Sequence, residues 1–178
     1  MKKLSAFLAA LLFLTAMTAM GQPLAGKKFE AGTSLAFFSL KGDSSDGSTS
    51  YLCVPIRFGW FAWRGLEIEP EVQLTVPLDS GGEMTYFLLA NVTYNFKTSG
   101  QLVPFVGVGA GLGSGIPLYY VVQPPDDGSS AVGVLGGVKY IVGGIGLLRL
   151  EYRLTRLRFG DGDRATINQV LAGLSILF

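Results

Sequence analysis

The sequence predicts an all-β chain, an eight-stranded antiparallel up-and-down barrel that crosses a membrane, after a cleaved N-terminal signal peptide. Three observations predict it. Apolar and polar residues alternate along eight segments with a period of two, the repeat of an extended strand with two distinct faces. Glycine is abundant, with 25 residues, turn signals separate the segments, and no long helical pattern appears after the N-terminus. Each apolar face spans roughly five or six alternate residues, which matches a membrane-crossing strand of ~9–11 residues.

The N-terminus reads as an export signal. Met1-Lys2-Lys3 is a basic start, 4–14 is apolar, and Ala19 and Gly21 supply the small positions before a cut. Cleavage is placed before Gln22, giving a signal peptide 1–21 and a barrel domain 22–178. The apolar run is short for a helix of ~20 residues that would span a bilayer. Loss of Lys2 and Lys3 takes the formal net charge from +1 to −1, so nothing basic points to nucleic acid. Cys53 is the single cysteine, which excludes an intramolecular disulfide, and it does not sit at the cleavage point to accept a lipid. Histidine is absent, which argues against a Ser-His-Asp hydrolase and against a typical zinc site.

The segments follow in order. The first, 28–40, sets Phe29, Ala31, Thr33, Leu35 and Phe37 against Glu30, Gly32 and Ser34. The second, 51–60, sets Leu52, Val54, Ile56, Phe58 and Trp60 against Cys53, Pro55 and Arg57. The third, 66–78, is the most regular: Leu66, Ile68, Pro70, Val72, Leu74, Val76 and Leu78 alternate with Glu67, Glu69, Glu71, Gln73 and Thr75. A helix would scatter those three carboxylates around its axis, whereas a strand puts them on one face. The fourth, 84–96, carries Tyr86, Leu88, Val92, Tyr94 and Phe96 on its apolar side. The fifth, 102–114, sets Val106, Val108 and Leu112 against Gly107, Gly109, Gly111 and Gly113. The sixth, 131–142, and the seventh, 145–157, are joined by Gly143-Gly144, a tight hairpin turn. The eighth, 166–178, ends on Phe178. Connections alternate between longer and shorter, as in a membrane barrel with short periplasmic turns, and this puts both termini on the periplasmic side. Pro55, Pro70 and Pro104 fall inside strands and cannot donate to the ladder, so local bulges are expected there.

Alternation alone does not separate a membrane barrel from a soluble one. Three further features do so when taken together. The strand-core charges, Glu30, Arg57, Glu67, Glu69, Glu71, Lys139, Arg149, Glu151 and Arg153, all share the parity opposite the apolar face. On the apolar parity, Phe29, Trp60, Tyr94, Phe96, Tyr140 and Phe178 fall at one end, the pattern of an aromatic girdle. Phe37 and Tyr86 are candidates at the other rim.

The chain also ends with Gly173, Ile176 and Phe178 at the spacing of the C-terminal assembly signal of bacterial outer-membrane proteins, with Leu171 where that signal commonly has a polar residue. With that ending, and with the segments 104–113 and 136–156, the mature sequence resembles the OmpA/OmpX-type small outer-membrane β-barrel family. The resemblance implies a Gram-negative outer-membrane location, insertion by the barrel-assembly machinery, and contact with outer-membrane lipid and lipopolysaccharide. It is not expected to extend to a peptidoglycan-binding domain. Relatives of similar build that hydrolyse or transfer acyl chains use histidine, which this chain lacks.

The inward charges, five acidic and four basic, suggest an interior network, because unpaired buried charge costs several kcal/mol per ion. An eight-stranded barrel is about wide enough for its own side chains to fill. Glu67, Glu69 and Glu71 are expected to pair with Arg57 and the other inward bases. The glycines at 107–113 read as space for large neighbouring side chains, since G-x-G-x-G-x-G without a following helix is no nucleotide loop. Asp43, Asp46, Asp79, Glu83, Asp126, Asp127, Asp161 and Asp163 make the outer loops acidic, and Asp161-Gly162-Asp163 reads as a turn rather than a cation site. Tyr119-Tyr120-Val121-Val122 makes the longest loop unusually apolar. Arg156, Arg158 and Arg164 lie near the outer rim, either solvated or meeting lipopolysaccharide phosphates.

The function expected is a structural or interaction role through the extracellular loops, with no catalytic residue, metal or cofactor and with no nucleic-acid partner. The extracellular partner is not specified by these residues. The alternatives are a narrow pore or transport element and a secreted, lipocalin-like soluble barrel.

Overall fold

A computed structural model describes residues 26–41, 48–78, 84–113, 129–158 and 164–178. The expected signal peptide, the acidic loop residues and the apolar stretch 119–122 lie outside these residues. The strands are β1 Phe29–Lys41, β2 Ser48–Trp63, β3 Leu66–Pro77, β4 Thr85–Asn95, β5 Leu102–Gly113, β6 Ser129–Val142, β7 Gly146–Arg158 and β8 Arg164–Leu177. Each pairs antiparallel with its sequence neighbour, and β8 closes on β1, so the sheet is a closed barrel with no free edge.

The turns explain the strand ends. β2 runs farther than its alternation suggested, through Phe61 and Trp63, and turns into β3 over Arg64 and Gly65 alone. Both have positive φ, 37° and 93°, the requirement of a two-residue turn whose twist matches the flanking strands. The β6–β7 turn uses Gly143 and Gly144 at φ 60° and 78°. At the seam, the Phe178 carbonyl accepts from the Lys28 and Phe29 amides at 3.0 and 2.9 Å, and its own amide donates to Phe29.

The prolines do not produce the expected bulges. The β1–β2 ladder skips from Thr33↔Ile56 to Ala36↔Cys53 in one register, with Thr33 Oγ1 donating to the Pro55 carbonyl at 2.9 Å. The β2–β3 ladder skips from Arg57↔Glu71 to Trp60↔Ile68, passing Pro70, again without a change of register. Pro104 sits near the start of β5, where its carbonyl accepts from Phe96. A proline removes one donor but not one residue of spacing, so the flanking pairs hold the alignment. The β2–β3 shift lies instead between Phe61 and Trp63, at the turn.

Alternation along every strand sorts the side chains. Leu35, Ile56, Val72, Leu88, Val108, Val134, Leu150 and Leu174 point outward and are exposed. The interior is layered. Val103, Ile141, Leu147 and Leu177 are buried near the short-turn end. The charged residues form the middle. Toward the long-loop end lie two apolar clusters, Phe87 with Ala131 and Leu157, and Ala36 with Cys53 and Leu171.

Candidate functional site

All nine inward charges lie buried in the barrel lumen and are joined in one ion-pair network. β3 supplies three of them because period two places Glu67, Glu69 and Glu71 in a column on one wall. β6 and β7 supply Lys139, Arg149, Glu151 and Arg153 from across the lumen. Lys139 Nζ lies 2.7 Å from Glu30 and 2.6 Å from Glu67. Arg149 reaches Glu69 at 2.9 Å and Glu151 at 2.7 Å, and its guanidinium sits 4.3 Å from the Phe105 ring centroid. Arg153 forks between Glu71 at 2.6 Å and Glu151 at 2.8 Å. Arg57 lies farther from its partners, 3.4 Å from Glu151 and 3.7 Å from Glu71, and it donates to Ser34 at 3.0 Å.

The three β3 carboxylates divide among the inward bases. Arg57 meets only the last of the three β3 carboxylates. Lys139 holds Glu67 and Arg149 holds Glu69, because those bases stand at the matching height on the opposite wall. Neutral donors complete the layer. Thr93 donates to Glu69 at 2.9 Å, Asn95 to Glu67 at 2.9 Å and Asn91 to Glu71 at 3.2 Å. These three were not singled out from the sequence. The signal was there, since they occupy the inner parity of β4, whose register sets Glu67 against Thr93 and Glu69 against Asn91.

The layer is crossed by side chains from opposite walls, so the lumen is filled at this level. The β5 glycines let it fill. A Cβ on Gly107 falls 2.7 Å from the Thr93 methyl, and one on Gly111 falls 2.7 Å from Leu89; Gly109 backs onto Asn91 in the same way. Above the layer, a small cavity is lined by Gln73, Thr75, Phe87, Leu157 and Gln169 among others.

The six aromatic residues of the expected girdle stand at the short-turn end. Trp60, Tyr94, Tyr140 and Phe178 are exposed, while Phe29 and Phe96 are half-buried. Phe29 and Phe178 stack at 5.8 Å with Phe58 alongside, and Tyr94 meets Phe96 edge-on at 5.1 Å. Phe58 and Trp63 add to the set, with Arg64 over the Trp63 ring. Of the C-terminal residues, Ile176 and Phe178 face outward, whereas Gly173 faces inward and is paired with Ser34 of β1.

Charge inside and hydrocarbon outside is the arrangement of a barrel whose solvent is lipid. The chain has the fold of the small eight-stranded outer-membrane barrels. It is similar to the crystal structure of Neisserial surface protein A (NspA), at 19% identity and a TM-score of 0.61, over 86% of this chain and 98% of that one. It is also similar to a chain described as a de novo design of transmembrane β-barrels, at 15% identity and a TM-score of 0.50, over 85% and 96%. No family model matches the sequence, and no curated protein matches it. The likeness is therefore one of fold.

Proposed function

We propose that the protein is an OmpA/OmpX-type barrel of a Gram-negative outer membrane, exported by its signal peptide and inserted by the barrel-assembly machinery. Both termini lie on the periplasmic side. Its role is structural or interactive, exerted through the long extracellular loops, and it carries no catalytic activity. The observation that supports this reading best is the inversion of polarity. Soluble monomers rarely expose apolar patches beyond a few hundred Å², whereas here the apolar face of every strand looks outward and the charges look inward. A soluble lipocalin-like carrier needs the reverse. All five inward carboxylates form ion pairs, which supports a structural rather than a catalytic use of the interior.

Fractionation of cells and gel mobility with and without boiling test the location and the barrel together. The protein is expected in the outer-membrane fraction, with a faster unboiled band; recovery in the soluble periplasm defeats the reading. An epitope inserted at 124–128 is expected to bind antibody on intact cells. Planar-bilayer recording separates the interaction role from a narrow pore. Closed by its charge layer, the barrel is expected to show no steady conductance, and a stable open level favours the pore.

A further inference from the structure

The outward face changes character near the long-loop end of β7 and β8. From the short-turn end upward, β8 presents Phe178, Ile176, Leu174, Ala172 and Val170, then Asn168, Thr166 and Arg164. Beside it, β7 presents Leu148, Leu150, Tyr152 and Leu154, then Arg156 and Arg158. The change falls at one level, since Leu154 is paired with Asn168. Above it stand three exposed arginines. Arg158 lies directly across the ladder from Arg164, and Arg156 lies across from Thr166.

That placement is unfavourable by itself. Directly opposed residues have Cβ atoms ~4.5–5.5 Å apart, and like charges there destabilise the pair. Every arginine inside the barrel has a carboxylate partner, yet among the described residues none of these three forms an ion pair. Arg156 follows Arg158 on the same face at ~6.7 Å along the strand. Three guanidiniums of five donors each therefore converge on one patch, with outward Thr166 and Asn168 beside them. A phosphate set among them takes forked hydrogen bonds from more than one arginine and removes the repulsion. The height agrees. Thr166 and Arg156 stand twelve residues above Phe178. At ~3.3 Å per residue and a strand tilt of ~40°, that is about 30 Å above the aromatic end, the thickness of the hydrocarbon core.

We infer that Arg156, Arg158 and Arg164 form a binding site for the phosphate groups of a lipid in the leaflet facing the long loops, which in an outer membrane is phosphorylated glycolipid. The inference rests on the outer-membrane reading. Its test uses the full mature chain refolded in detergent micelles and doped with diphosphoryl lipid A, with phosphatidylcholine or with inorganic pyrophosphate, read by native mass spectrometry and by the temperature at which the unboiled gel band is lost. Lipid A is expected to bind and to raise that temperature. Each arginine changed to glutamine is expected to lower lipid A affinity about fivefold, and R156Q/R158Q/R164Q to abolish the thermal shift while keeping the folded band. R158Q alone is expected to raise the basal temperature, since it ends the like-charge pair. Equal lipid A binding by the triple variant overturns the site. An equal shift with phosphatidylcholine shows that acyl packing suffices, and one with pyrophosphate shows that a free anion suffices; either overturns the lipid-phosphate assignment. A chain that never gives a heat-modifiable band defeats the outer-membrane reading instead, so the two failures are distinct.

Discussion

Lys139 is the member of the charge layer whose removal tests the layer most directly. Its ammonium is fully buried and holds two carboxylates, Glu30 at 2.7 Å and Glu67 at 2.6 Å. Lys139→Met keeps most of the volume and deletes the charge. Glu30 then has Arg149 Nη1 at 3.8 Å, while Glu67 keeps only the neutral donors Thr93 and Asn95. Breaking a buried pair by removing one partner costs about 3–5 kcal/mol, because the other charge stays buried without compensation. With a urea dependence of about 2 kcal/mol per molar, the unfolding midpoint is expected to fall by roughly 1.5–2.5 M.

The assay is urea unfolding in lipid vesicles, followed by the heat-modifiable gel band and by the fluorescence of Trp60 and Trp63. A second variant tests the pairing more sharply. Glu67→Gln in the Lys139→Met background removes the stranded charge, so the double variant is expected to recover more than half of the lost midpoint. A Lys139→Met protein that unfolds with wild type, or a double variant whose losses simply add, refutes the claim that the layer is held by pairing rather than by packing around methylene stems.

Arg57→Ala is expected to cost less than Lys139→Met in the same titration, since Arg57 stands 3.4 and 3.7 Å from its carboxylates. Gly111→Val is expected to lower the folded fraction by more than the ~1–3 kcal/mol typical of core overpacking, since its Cβ would meet the Leu88 carbonyl oxygen of the neighbouring strand as well as Leu89. Gly136→Val, whose Cβ meets nothing closer than 3.4 Å, is expected to leave the unboiled band unchanged. Trp60 and Trp63 are expected to be quenched more by lipid brominated near the headgroup than by lipid brominated at mid-chain, as an interfacial girdle requires. Cys53, fully buried, is expected to resist a bulky maleimide until the barrel is unfolded.

The parity of each side chain was legible because a strand allows only two directions, and a closed barrel gives those directions one meaning all the way round. Glu67, Glu69 and Glu71 could therefore be turned inward from 66–78 once the aromatic levels and Phe178 had oriented the apolar face. Their partners were less legible. Glu69 and Arg149 are far apart in sequence and meet across the lumen, and that meeting depends on the stagger accumulated through four intervening ladders. The register between neighbouring strands is a simpler quantity, and it is enough to place Thr93 and Asn91 beside the β3 carboxylates. The prolines give no bulge because the absence of a donor is not a change of spacing. Ladders on both sides hold these strands in register, so a missing bond stays local.

The rim arginines obey the same rule of parity. Among the described residues inside the membrane-height band, charge appears only on the inward parity, where carboxylates meet it. Arg156, Arg158 and Arg164 stand on the outward parity, and they do so only beyond Leu154 and Val170. Charge on that face at mid-height carries a cost of ~2–4 kcal/mol that falls nearly to zero at the interface. The level at which outward arginines first appear therefore marks the edge of the hydrocarbon, and it does so without reference to the aromatic girdle at the other end. The two marks lie about 30 Å apart by strand rise and tilt, one bilayer core. A soluble barrel has no reason to place its first outward charges on adjacent strands at that distance from its aromatic ring.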